Sequence, residues 1–521
     1  MKLRFVLAGA LVLGAVWSGR AQIAPIRIAS TFAPSIEPKN DAVFTSTREV
    51  RALAPIPVAN GIWAATAGGV LEFNGEKWMK WTRQNGLPSH EALQITSIMH
   101  RPIVRFPTSI AERAGAKWEI RSAPVAENSP LHFRWKKQEV RVALDGLHFG
   151  GKLFPIPPQS NGTHISAALN LGPTLLIALY GDGLWNFDGQ KWTRAASVPA
   201  NAREITALAH DGRNLWIGTR RDGIFRRDKI VPPQKQHWQQ TLQPGEPFSH
   251  NIQNFAAFRG VLWASTLDDG LVFRSGTNWK HVSTPVLSSS APRQMLVFQH
   301  QLYVRHGGGL VDSFDGQIWT KNALKTIPRK GIYALAGDNK TLFAAGWGGW
   351  SEWDGATWTP HFEIAELKGV PILGLLLDGD YLWIATQSRG LGCFNRQTKS
   401  FRWFDERDNL PDDWITTLAQ SGGKIYAGTF VGGLARLDGE KWHVFEELKG
   451  QNVTALAESN GKLWAATRNG IWEIEGDKAT KVEKSWLDGE VQALLSTKNG
   501  MWIGARTSLN WLKSTKNEEA R

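Results

Sequence analysis

The amino-acid sequence predicts an all-β protein, a β-propeller of about twelve four-stranded blades. Two observations carry this prediction. A strand-like motif that opens with Leu-Trp returns along the chain at a mean interval of about 40 residues. Glycine-rich turns separate the copies: the 521 residues include 52 Gly and 26 Trp, and no helical periodicity runs between the copies. Short strands at regular spacing with turn signals are typical of closed all-β repeats.

The repeated motif reads Leu-Trp-x-x-Thr and is followed after a short turn by Gly and an apolar residue. Its copies are Ile62-Trp63, Leu176-Ile177, Leu215-Trp216, Leu262-Trp263, Leu302-Tyr303, Leu342-Phe343, Leu382-Trp383, Ile425-Tyr426, Leu463-Trp464 and Met501-Trp502, with degraded copies at Ile103-Val104 and Val140-Arg141. Because the spacing is regular, each copy is interpreted as the second strand of one repeating unit.

Three further strands are predicted around each motif. An alternating run such as Val453–Ala457 precedes it, and a third strand ends in Asp-Gly, as at Asp188-Gly189. Asp-Gly suits a tight hairpin because both residues tolerate positive φ. A Trp three residues beyond the Gly, such as Trp192, begins a fourth strand. The recurring Trp residues are predicted to pack between blades, since one four-stranded sheet cannot bury both of its faces alone.

The succession Leu-Trp-Ile-Gly-Thr, Gly-Leu, Phe-Asp-Gly and Trp resembles the two-component regulator propeller repeat. Asn85–Ser89 and Asp408–Asp412 resemble the loop that joins blades in that family. The resemblance covers about residues 50–515, with a weak stretch at 100–172, and it implies an extracytoplasmic β-propeller. Family members often carry these repeats ahead of a membrane helix, a histidine kinase and a response regulator. None follows here, so the resemblance implies a stand-alone binding or sensor module.

Twelve blades exceed the usual ring of about four to eight. Two six- or seven-bladed rings are therefore expected, with one large ring as the alternative. The most linker-like stretch is Ser283–Pro292, which places a first propeller at 50–287 and a second at 288–515. The last unit has only three strands, so the segment 22–49 is expected to supply a closing strand, from Ile26–Ser30 or Ala42–Thr45. Residues 516–521 form a polar tail.

Residues 1–21 have the layout of a secretory signal peptide. Lys2 and Arg4 precede the apolar run Phe5–Trp17, and Gly19 and Ala21 are small residues before the expected cut. An uncleaved anchor is the alternative. Cys393 is the only cysteine, which excludes intrachain disulfides. Export without disulfides suits a bacterial periplasm or medium, so we expect a periplasmic or secreted protein with no membrane span after signal cleavage.

The charge and motif content narrow the function classes. Lys and Arg number 60 against 47 Asp and Glu, a net charge of +13, which favours anionic partners. The basic residues form no block, so nucleic acid is not expected. No motif of a hydrolase, metalloprotease, P-loop or EF-hand occurs, and the 13 His show no metal-ligand spacing. We expect no enzymatic activity, no catalytic residues, no cofactor and no metal, and Cys393 as an inert buried thiol.

Candidate binding residues come from propeller geometry. The loop after each Leu-Trp strand, here named the motif loop, emerges on the face that surrounds the central channel, and its residues vary while the flanking frame repeats. Arginines pair with carboxylates or sulfates, and aromatic rings stack on sugars. The predicted ligand-binding residues are Arg220, Arg221, His306, Trp347, Arg389, Phe430 and Arg468. Except for His306, we expect them to be partly exposed.

The predicted function is binding of a small ligand, a glycan or an envelope protein of anionic character. Two alternatives stay open: a polysaccharide lyase or glycoside hydrolase on the same scaffold, and an assembly or docking factor of the cell envelope. For the lyase, His306 with a neighbouring Arg is the pair that the sequence offers as base and uronate neutraliser.

Overall fold

The computed structural model describes residues 26–27, 32–56, 61–98, 101–125, 131–143, 145–195, 197–228, 237–242, 247–329, 331–338, 340–487 and 489–514. The expected signal peptide and the polar tail lie outside the described residues. The described chain forms twelve antiparallel sheets, eleven of four strands and one of five. This confirms the predicted all-β propeller architecture of twelve blades, which are numbered 1 to 12 in chain order below.

The first five blades each contain four strands. Their bounds are Val50–Ile56, Gly61–Thr66, Gly69–Phe73 and Trp78–Trp81 (blade 1); Gln94–Ile98, Arg101–Arg105, Ser109–Ala114 and Lys117–Ser122 (blade 2); His132–Trp135, Gln138–Ala143, Gly146–Phe149 and Lys152–Pro155 (blade 3); Ile165–Asn170, Leu175–Leu179, Gly183–Phe187 and Trp192–Arg194 (blade 4); Ile205–His210, Asn214–Thr219, Ile224–Asp228 and Gln239–Leu242 (blade 5).

The next seven blades follow without a change of pattern. Their bounds are Ile252–Phe258, Val261–Thr266, Leu271–Ser275 and Asn278–Val282 (blade 6); Pro292–Phe298, Gln301–His306, Val311–Phe314 and Ile318–Thr320 (blade 7); Ala334–Gly337, Leu342–Gly346, Gly349–Trp353 and Trp358–His361 (blade 8); Ile372–Asp378, Tyr381–Thr386, Leu391–Asn395 and Phe401–Phe404 (blade 9); Ile415–Ser421, Lys424–Thr429, Leu434–Asp438 and Lys441–Val444 (blade 10); Val453–Ser459, Lys462–Thr467, Gly470–Glu475 and Lys478–Lys481 (blade 11); Val491–Thr497, Gly500–Ala505 and Leu509–Lys513 (blade 12).

Short 3-10 helices lie in several connections: Arg83–Asn85, Ala200–Ala202, Ala365–Leu367, Glu406–Asp408 and Glu446–Leu448. Within each blade consecutive strands pair antiparallel. The first strands of neighbouring blades contact each other around most of the array, so the first strand of a blade is its innermost. The second strand, which carries the Leu-Trp motif, is then buried on both faces, as in Asn214–Thr219, where every residue is buried.

Blades 6 to 12 form one closed ring of seven. A separate apolar cluster fills every one of its seven interfaces, including the one between blade 12 and blade 6. Trp263, Trp350 and Trp502 are almost completely buried in these clusters. The Trp residues therefore pack between blades, as the repeat pattern predicts.

Blades 1 to 5 form a second, smaller ring. Apolar clusters join blade 1 to blade 2, blade 3 to blade 4, blade 4 to blade 5, and blade 5 back to blade 1. No apolar cluster of the described residues joins blade 2 to blade 3. We call this fifth interface the seam. The predicted division into two units holds, and one of them has seven blades, as one of the two expected sizes. The other has five, so the six-and-six arrangement and the single large ring are wrong.

The boundary expected at 287 falls inside the seven-bladed ring. Leu287 is buried between blades 6 and 7, and Ser283–Pro292 is an ordinary loop between blades. The break between rings lies instead between Leu242 and Ile252. Loop composition could not reveal this, because a ring closes through packing of strands that are far apart in sequence.

The N-terminal segment belongs to the seven-bladed ring. Ala42–Phe44 pairs with Leu509–Trp511 and supplies the missing fourth strand of blade 12. Ile26–Arg27 pairs instead with Ile318 and Trp319 at the outer edge of blade 7. The chain thus starts in the larger ring, leaves it to build the smaller one, and returns, so the five-bladed ring is nested within the seven-bladed one.

Candidate ligand-binding face

The Thr of each Leu-Trp motif holds the motif loop in shape. The Thr219 hydroxyl donates to the Gly223 carbonyl at 2.9 Å and accepts the Asp222 N–H at 2.9 Å. Thr386 makes the equivalent bonds, to the Gly390 carbonyl at 2.7 Å and from the Arg389 N–H at 3.1 Å. The loop backbone is therefore fixed by repeated residues, and its variable side chains are left to face solvent.

The glycine that ends the motif loop is required by backbone geometry. Gly390 has φ +73°, and a Cβ at this position would lie 2.2 Å from the Phe404 carbonyl oxygen. Only glycine accepts both conditions, which explains why Gly recurs at this place in the repeat.

Two of the predicted residues meet in one cavity. Phe430 and Arg468, from the motif loops of blades 10 and 11, line a cavity of about 600 Å³ with Glu490 and a set of uncharged polar residues. The Phe430 ring stacks on Trp414, with ring centroids 4.1 Å apart and planes 14° from parallel. The Arg468 guanidinium carbon lies 5.9 Å from the Phe430 centroid. We call this space the channel-mouth cavity, because the inner ends of the first strands border it.

The polar lining of the channel-mouth cavity comes from a recurring β-bulge. In six of the seven larger-ring blades the register of the first strand shifts after its first residue, and one residue is left unpaired. These residues are Gln253, Arg293, Leu373, Thr416, Thr454 and Gln492. Four of them line the cavity. Bulges redirect side chains at the rims of β-structures.

The bulge residues are not among the residues predicted from the sequence, although the sequence contains a signal for them. Each follows the β-branched or proline residue that opens a first strand, at the same place in every repeat. The Thr454 hydroxyl donates to the Val491 carbonyl of the next blade at 2.7 Å, and the Gln253 amide donates to the Gln492 side chain. The bulge residues thus link neighbouring blades and also border the cavity.

The electrostatics of the channel-mouth cavity favour an anion. Arg468 makes no salt bridge with any described carboxylate. Glu490, the one carboxylate of the lining, is already paired with Arg506 at 2.7 Å. A guanidinium without a carboxylate partner, beside an aromatic pair and amide groups, can accept a carboxylate or sulfate.

Trp347 and Arg389 occupy motif loops of blades 8 and 9, and of these only blade 9 neighbours a blade that lines the cavity. Trp347 is 54% exposed, and its carbonyl accepts a bond from Arg329 at 3.0 Å. The Arg389 guanidinium carbon lies 5.6 Å from the Trp403 ring centroid. Both side chains are exposed as expected, but neither lines the channel-mouth cavity.

Arg220 and Arg221 lie elsewhere, in a cleft of about 220 Å³ between the two rings. This ring-junction cleft also holds Arg48, Arg51 and Arg506, with the acidic residues Glu49, Glu91, Asp268 and Asp269. The structure therefore separates the predicted arginines into two neighbouring sites, because Arg506 of the ring-junction cleft is paired with Glu490 of the channel-mouth cavity.

Most arginines of the ring-junction cleft are ion-paired. Arg48 meets Asp269 at 3.2 Å, and Arg221 meets Glu204 at 3.5 Å. Arg51 and Arg506 share Glu91. Burial lowers the pKa of Arg48. Such mutual neutralisation describes a junction between rings better than a site that awaits an anion.

His306 does not lie on the binding face, and its assignment as a ligand residue is wrong. It ends the second strand of blade 7, at the place that Thr386 occupies in blade 9, and it is 1% exposed. Its Nε2 lies 2.8 Å from Asp312. Burial alone would raise the pKa of Asp312. Hydrogen bonds from His306 and Ser288 outweigh burial and lower that pKa. A buried His–Asp pair gives a substrate no access, so His306 is also unsuited to act as a lyase base.

Other candidate groups can be placed as well. Burial raises the pKa of the half-buried Cys393 thiol to about 11, well outside the range of a reactive thiolate. No group of His, Cys, Asp and Glu side chains among the described residues could hold a metal ion. No described helix is long and apolar enough to cross a membrane.

The chain is similar to several solved structures at low sequence identity. No protein-family model matches the sequence, and no curated protein matches it significantly. Among solved structures, the "extracellular domain of the putative hybrid two component system BT4673 from B. thetaiotaomicron" is 15% identical, over 90% of this chain and 70% of that one, with a TM-score of 0.45. The corresponding BT3049 domain from the same organism is 13% identical over 88% and 76%, with a TM-score of 0.36.

A third similar structure is PorZ of Porphyromonas gingivalis, described as a bacterial surface component of the type-IX secretion system. It is 12% identical, over 92% of this chain and 88% of that one, with a TM-score of 0.36. At such identities the likeness concerns the fold alone.

Proposed function

We propose that this protein is an extracytoplasmic recognition propeller whose seven-bladed ring binds an anionic ligand at the channel-mouth cavity. One observation carries the proposal: Arg468 stands without a carboxylate partner among the described residues, beside the stacked Phe430–Trp414 pair. The cavity of about 600 Å³ is large enough for a small ligand or a few sugar units.

The chemistry of the lining narrows the ligand class. Arg468 would form charge-assisted bonds with a carboxylate or sulfate, and the Phe430 ring would pack on a sugar face. Gln253, Asn452 and Gln492 supply amide donors and acceptors for hydroxyl groups. An acidic oligosaccharide uses all three kinds of group, which favours it over a neutral sugar or a simple anion.

The test is a comparison of two single-charge variants. Immobilised protein would be offered oligogalacturonate, sulfated oligosaccharide and their neutral counterparts. Arg468→Ala should weaken the binding of an acidic oligosaccharide about tenfold or more, because a hydrogen bond to a charged group contributes roughly 1.5–3 kcal/mol. Arg402→Ala is the matched control: Arg402 lies on the outer strand of blade 9, so its loss removes the same charge away from the cavity.

Two results would refute the proposal. One is equal binding of acidic and neutral oligosaccharides, and the other is unchanged affinity in Arg468→Ala. Loss of binding in Arg402→Ala to the same extent would show that only net charge matters.

Export follows from the N-terminal pattern and is part of the proposal. We propose cleavage after Ala21 and release into the periplasm or medium of a bacterium. The intact mass of the protein purified from whole cells measures this directly. A mature chain that retains Met1 or its neighbours would contradict cleavage.

A lyase remains the second candidate, on a different group than the sequence offered. His164 stacks on Tyr180 with centroids 5.1 Å apart, and Glu204 and Arg220 lie close enough to act on the Tyr180 hydroxyl. Burial raises the pKa of Tyr180, so a smaller fraction of its hydroxyl is ionised and able to act as a base at neutral pH, which disfavours this candidate relative to simple binding. Release of an unsaturated uronate, followed by ultraviolet absorbance, would favour this candidate over simple binding.

A further inference from the structure

The seam between blades 2 and 3 is the only blade interface of the described residues that lacks an apolar cluster. No hydrogen bond or salt bridge found between described residues joins the two blades either. The strands of both blades are nevertheless regular, with hairpin register maintained throughout. Among the described residues, two well-formed sheets therefore each have one face that no apolar cluster covers.

The sequence explains why the seam stays open. In blade 9 the second strand, Tyr381–Thr386, is buried at every position after the first. In blade 3 the equivalent strand, Gln138–Ala143, alternates between buried and exposed residues. Blade 2 shows the same alternation in Arg101–Arg105. An alternating strand covers one neighbour only, so the degraded motifs of these two blades encode one-sided sheets.

The open face of blade 2 combines aliphatic and cationic residues. Cross-strand register places Arg105, Ile110 and Arg121 in one row on this face. Ile98 and Arg101 face each other at its lower end, and Ile98 is 57% exposed. The opposite face carries Ile95, Val104, Ala111 and Trp118 and packs on blade 1. Glu112 and Glu119 also lie on the open face, in the row of Ile103.

The open face of blade 3 repeats the chemistry. His132, Arg141, His148 and Leu153 form one row across its four strands. Leu153 is 45% exposed, and Arg141 has no described carboxylate within salt-bridge distance. Arg134 is equally unpaired among the described side chains. The carboxylate Glu139 on this face is taken by His132 at 3.2 Å.

Exposed apolar residues are concentrated at these two blades. Five of the thirteen exposed large hydrophobic residues of the described chain belong to blades 2 and 3 or the segments beside them. They are Ile98, Ile120, Val125, Leu131 and Leu153. Ile98 and Leu153 lie on the open faces of the two blades, whereas Ile120 shares the row of Ala111 on the face of blade 2 that packs on blade 1. The described part of residues 94–155 also carries ten Lys and Arg against four Asp and Glu. Clustered exposed apolar side chains mark interaction surfaces, and here the surface is cationic.

We propose that the seam is a docking site for an acidic polypeptide segment of a partner protein that carries aliphatic side chains between its carboxylates. The aliphatic residues would pack against Ile98, Ile103 and Leu153, and the carboxylates would pair with Arg101, Arg121 and Arg141. A second copy of this chain is a poor occupant, because its net charge of +13 repels another cationic surface.

The site is independent of the channel-mouth cavity, and its test uses a defined peptide. A fluorescein-labelled twelve-residue peptide of alternating Asp and Leu would be titrated with the mature protein and followed by fluorescence anisotropy. Peptides of alternating Asp and Ser, and of alternating Lys and Leu, separate the charge contribution from the apolar one. We expect the Asp-Leu peptide to bind at least tenfold more tightly than either.

Two double variants test whether the peptide binds at the seam. The double variant Arg101→Glu/Arg141→Glu should lower the affinity for the Asp-Leu peptide at least tenfold, and Ile103→Ser should lower that affinity by a smaller factor. Lys280→Glu with Lys478→Glu is the control, since it makes the same charge change on the exposed outer strands of blades 6 and 11. Arg468→Ala should leave peptide binding unchanged. Thermal unfolding of all variants checks that the fold is kept.

Four outcomes would overturn the proposal. They are absence of Asp-Leu binding to the native protein, equal binding by the Asp-Ser peptide, unchanged affinity in Arg101→Glu/Arg141→Glu, and equal loss in the lysine control. Two further results would assign the seam to another occupant: binding to anionic lipid vesicles in place of the peptide, or a dimer in light scattering that dissociates in the arginine variant.

Discussion

The two rings differ in how completely they close. In the seven-bladed ring every interface contains an apolar cluster, and the N-terminal strand Ala42–Phe44 completes the last blade. In the five-bladed ring four interfaces are filled and the seam is not. The difference follows from the second strand of each blade. Where both faces of this strand are apolar, both neighbouring blades pack against it. Where apolar and polar residues alternate, one face of the strand stays exposed to solvent. Closure is thus decided blade by blade.

The same contrast distinguishes the arginines. Those between the rings are largely neutralised by Glu91, Asp269 and Glu204. Those of the channel-side face, Arg389 and Arg468, contact aromatic rings and no described carboxylate. Paired arginines hold protein parts together, whereas unpaired ones are free to bind an external anion.

The largest effect is expected at the closure of the seven-bladed ring. Trp502 is 1% exposed and packs against Trp511 with centroids 4.9 Å apart. Trp502→Ala should lower the free energy of unfolding by about 3–5 kcal/mol, because it leaves a large cavity in the closing interface. Denaturant unfolding measures the loss. The control Trp347→Ala removes an exposed Trp and should cost about 0.5 kcal/mol or less; equal costs would show that the closing interface is not a stabilising one.

The comparison of rings is tested directly by two isoleucines on second strands, one in each ring. Ile384 in blade 9 is fully buried, whereas Ile103 in blade 2 faces the seam and is half-buried. Ile384→Ala should cost about 2–5 kcal/mol and Ile103→Ala about 1 kcal/mol or less. Unfolding of the two variants in urea gives both values. A large cost for Ile103→Ala would mean that the seam is packed.

The blades could be predicted from the sequence because each blade is formed by consecutive residues of the chain. The Leu-Trp strand, the Asp-Gly hairpin and the Trp of the fourth strand each lie within about 40 residues of chain. It did not predict the grouping into rings, since Val50 packs on blade 5 and Ile252 on blade 12, contacts that span about 150 residues or more and leave no periodic signal.

The candidate site was predicted in part for a similar reason. Phe430 and Arg468 were found because motif loops repeat, and neighbouring blades bring them together. Gln253 and Gln492 were missed because a bulge cannot be recognised from an apolar alternation alone. His306 was misplaced because it substitutes for the buried Thr of the motif, one residue before the loop starts.

A third prediction concerns the connection between the rings and its dependence on pH. The Nδ1 atom of the partly buried His250 accepts the Ser46 N–H at 2.8 Å. Burial, with the charges of Lys80, Arg51, Arg48 and Arg506, lowers the pKa of His250 from 6.5 to about 3. Between these values the unfolded chain binds a proton that the folded chain does not. The contribution of His250 to the free energy of unfolding is therefore fully present above pH 6.5 and is lost progressively as the pH falls toward 3.

His250→Asn keeps an acceptor for the Ser46 N–H and removes the titrating group. We expect its melting temperature to fall less between pH 7.5 and pH 5 than that of the native protein. His300→Asn, at an exposed turn, is the control and should follow the native curve. A residual pH dependence in His250→Asn is expected from His90, whose pKa burial also lowers to about 3. Identical curves for all three proteins would contradict the assignment.

The smallest effect on stability is expected at the two arginines that face the channel side. Arg389 and Arg468 are exposed, and the Arg389 loop is held by the Thr386 hydroxyl through backbone groups that alanine retains. The double variant Arg389→Ala/Arg468→Ala loses only two exposed cation–π contacts, each of about 0.5–1 kcal/mol at most. Its free energy of unfolding should fall by about 2 kcal/mol or less, measured in urea beside the native protein. A loss of several kcal/mol would show that these arginines stabilise the ring, and their role as free anion partners would then be wrong.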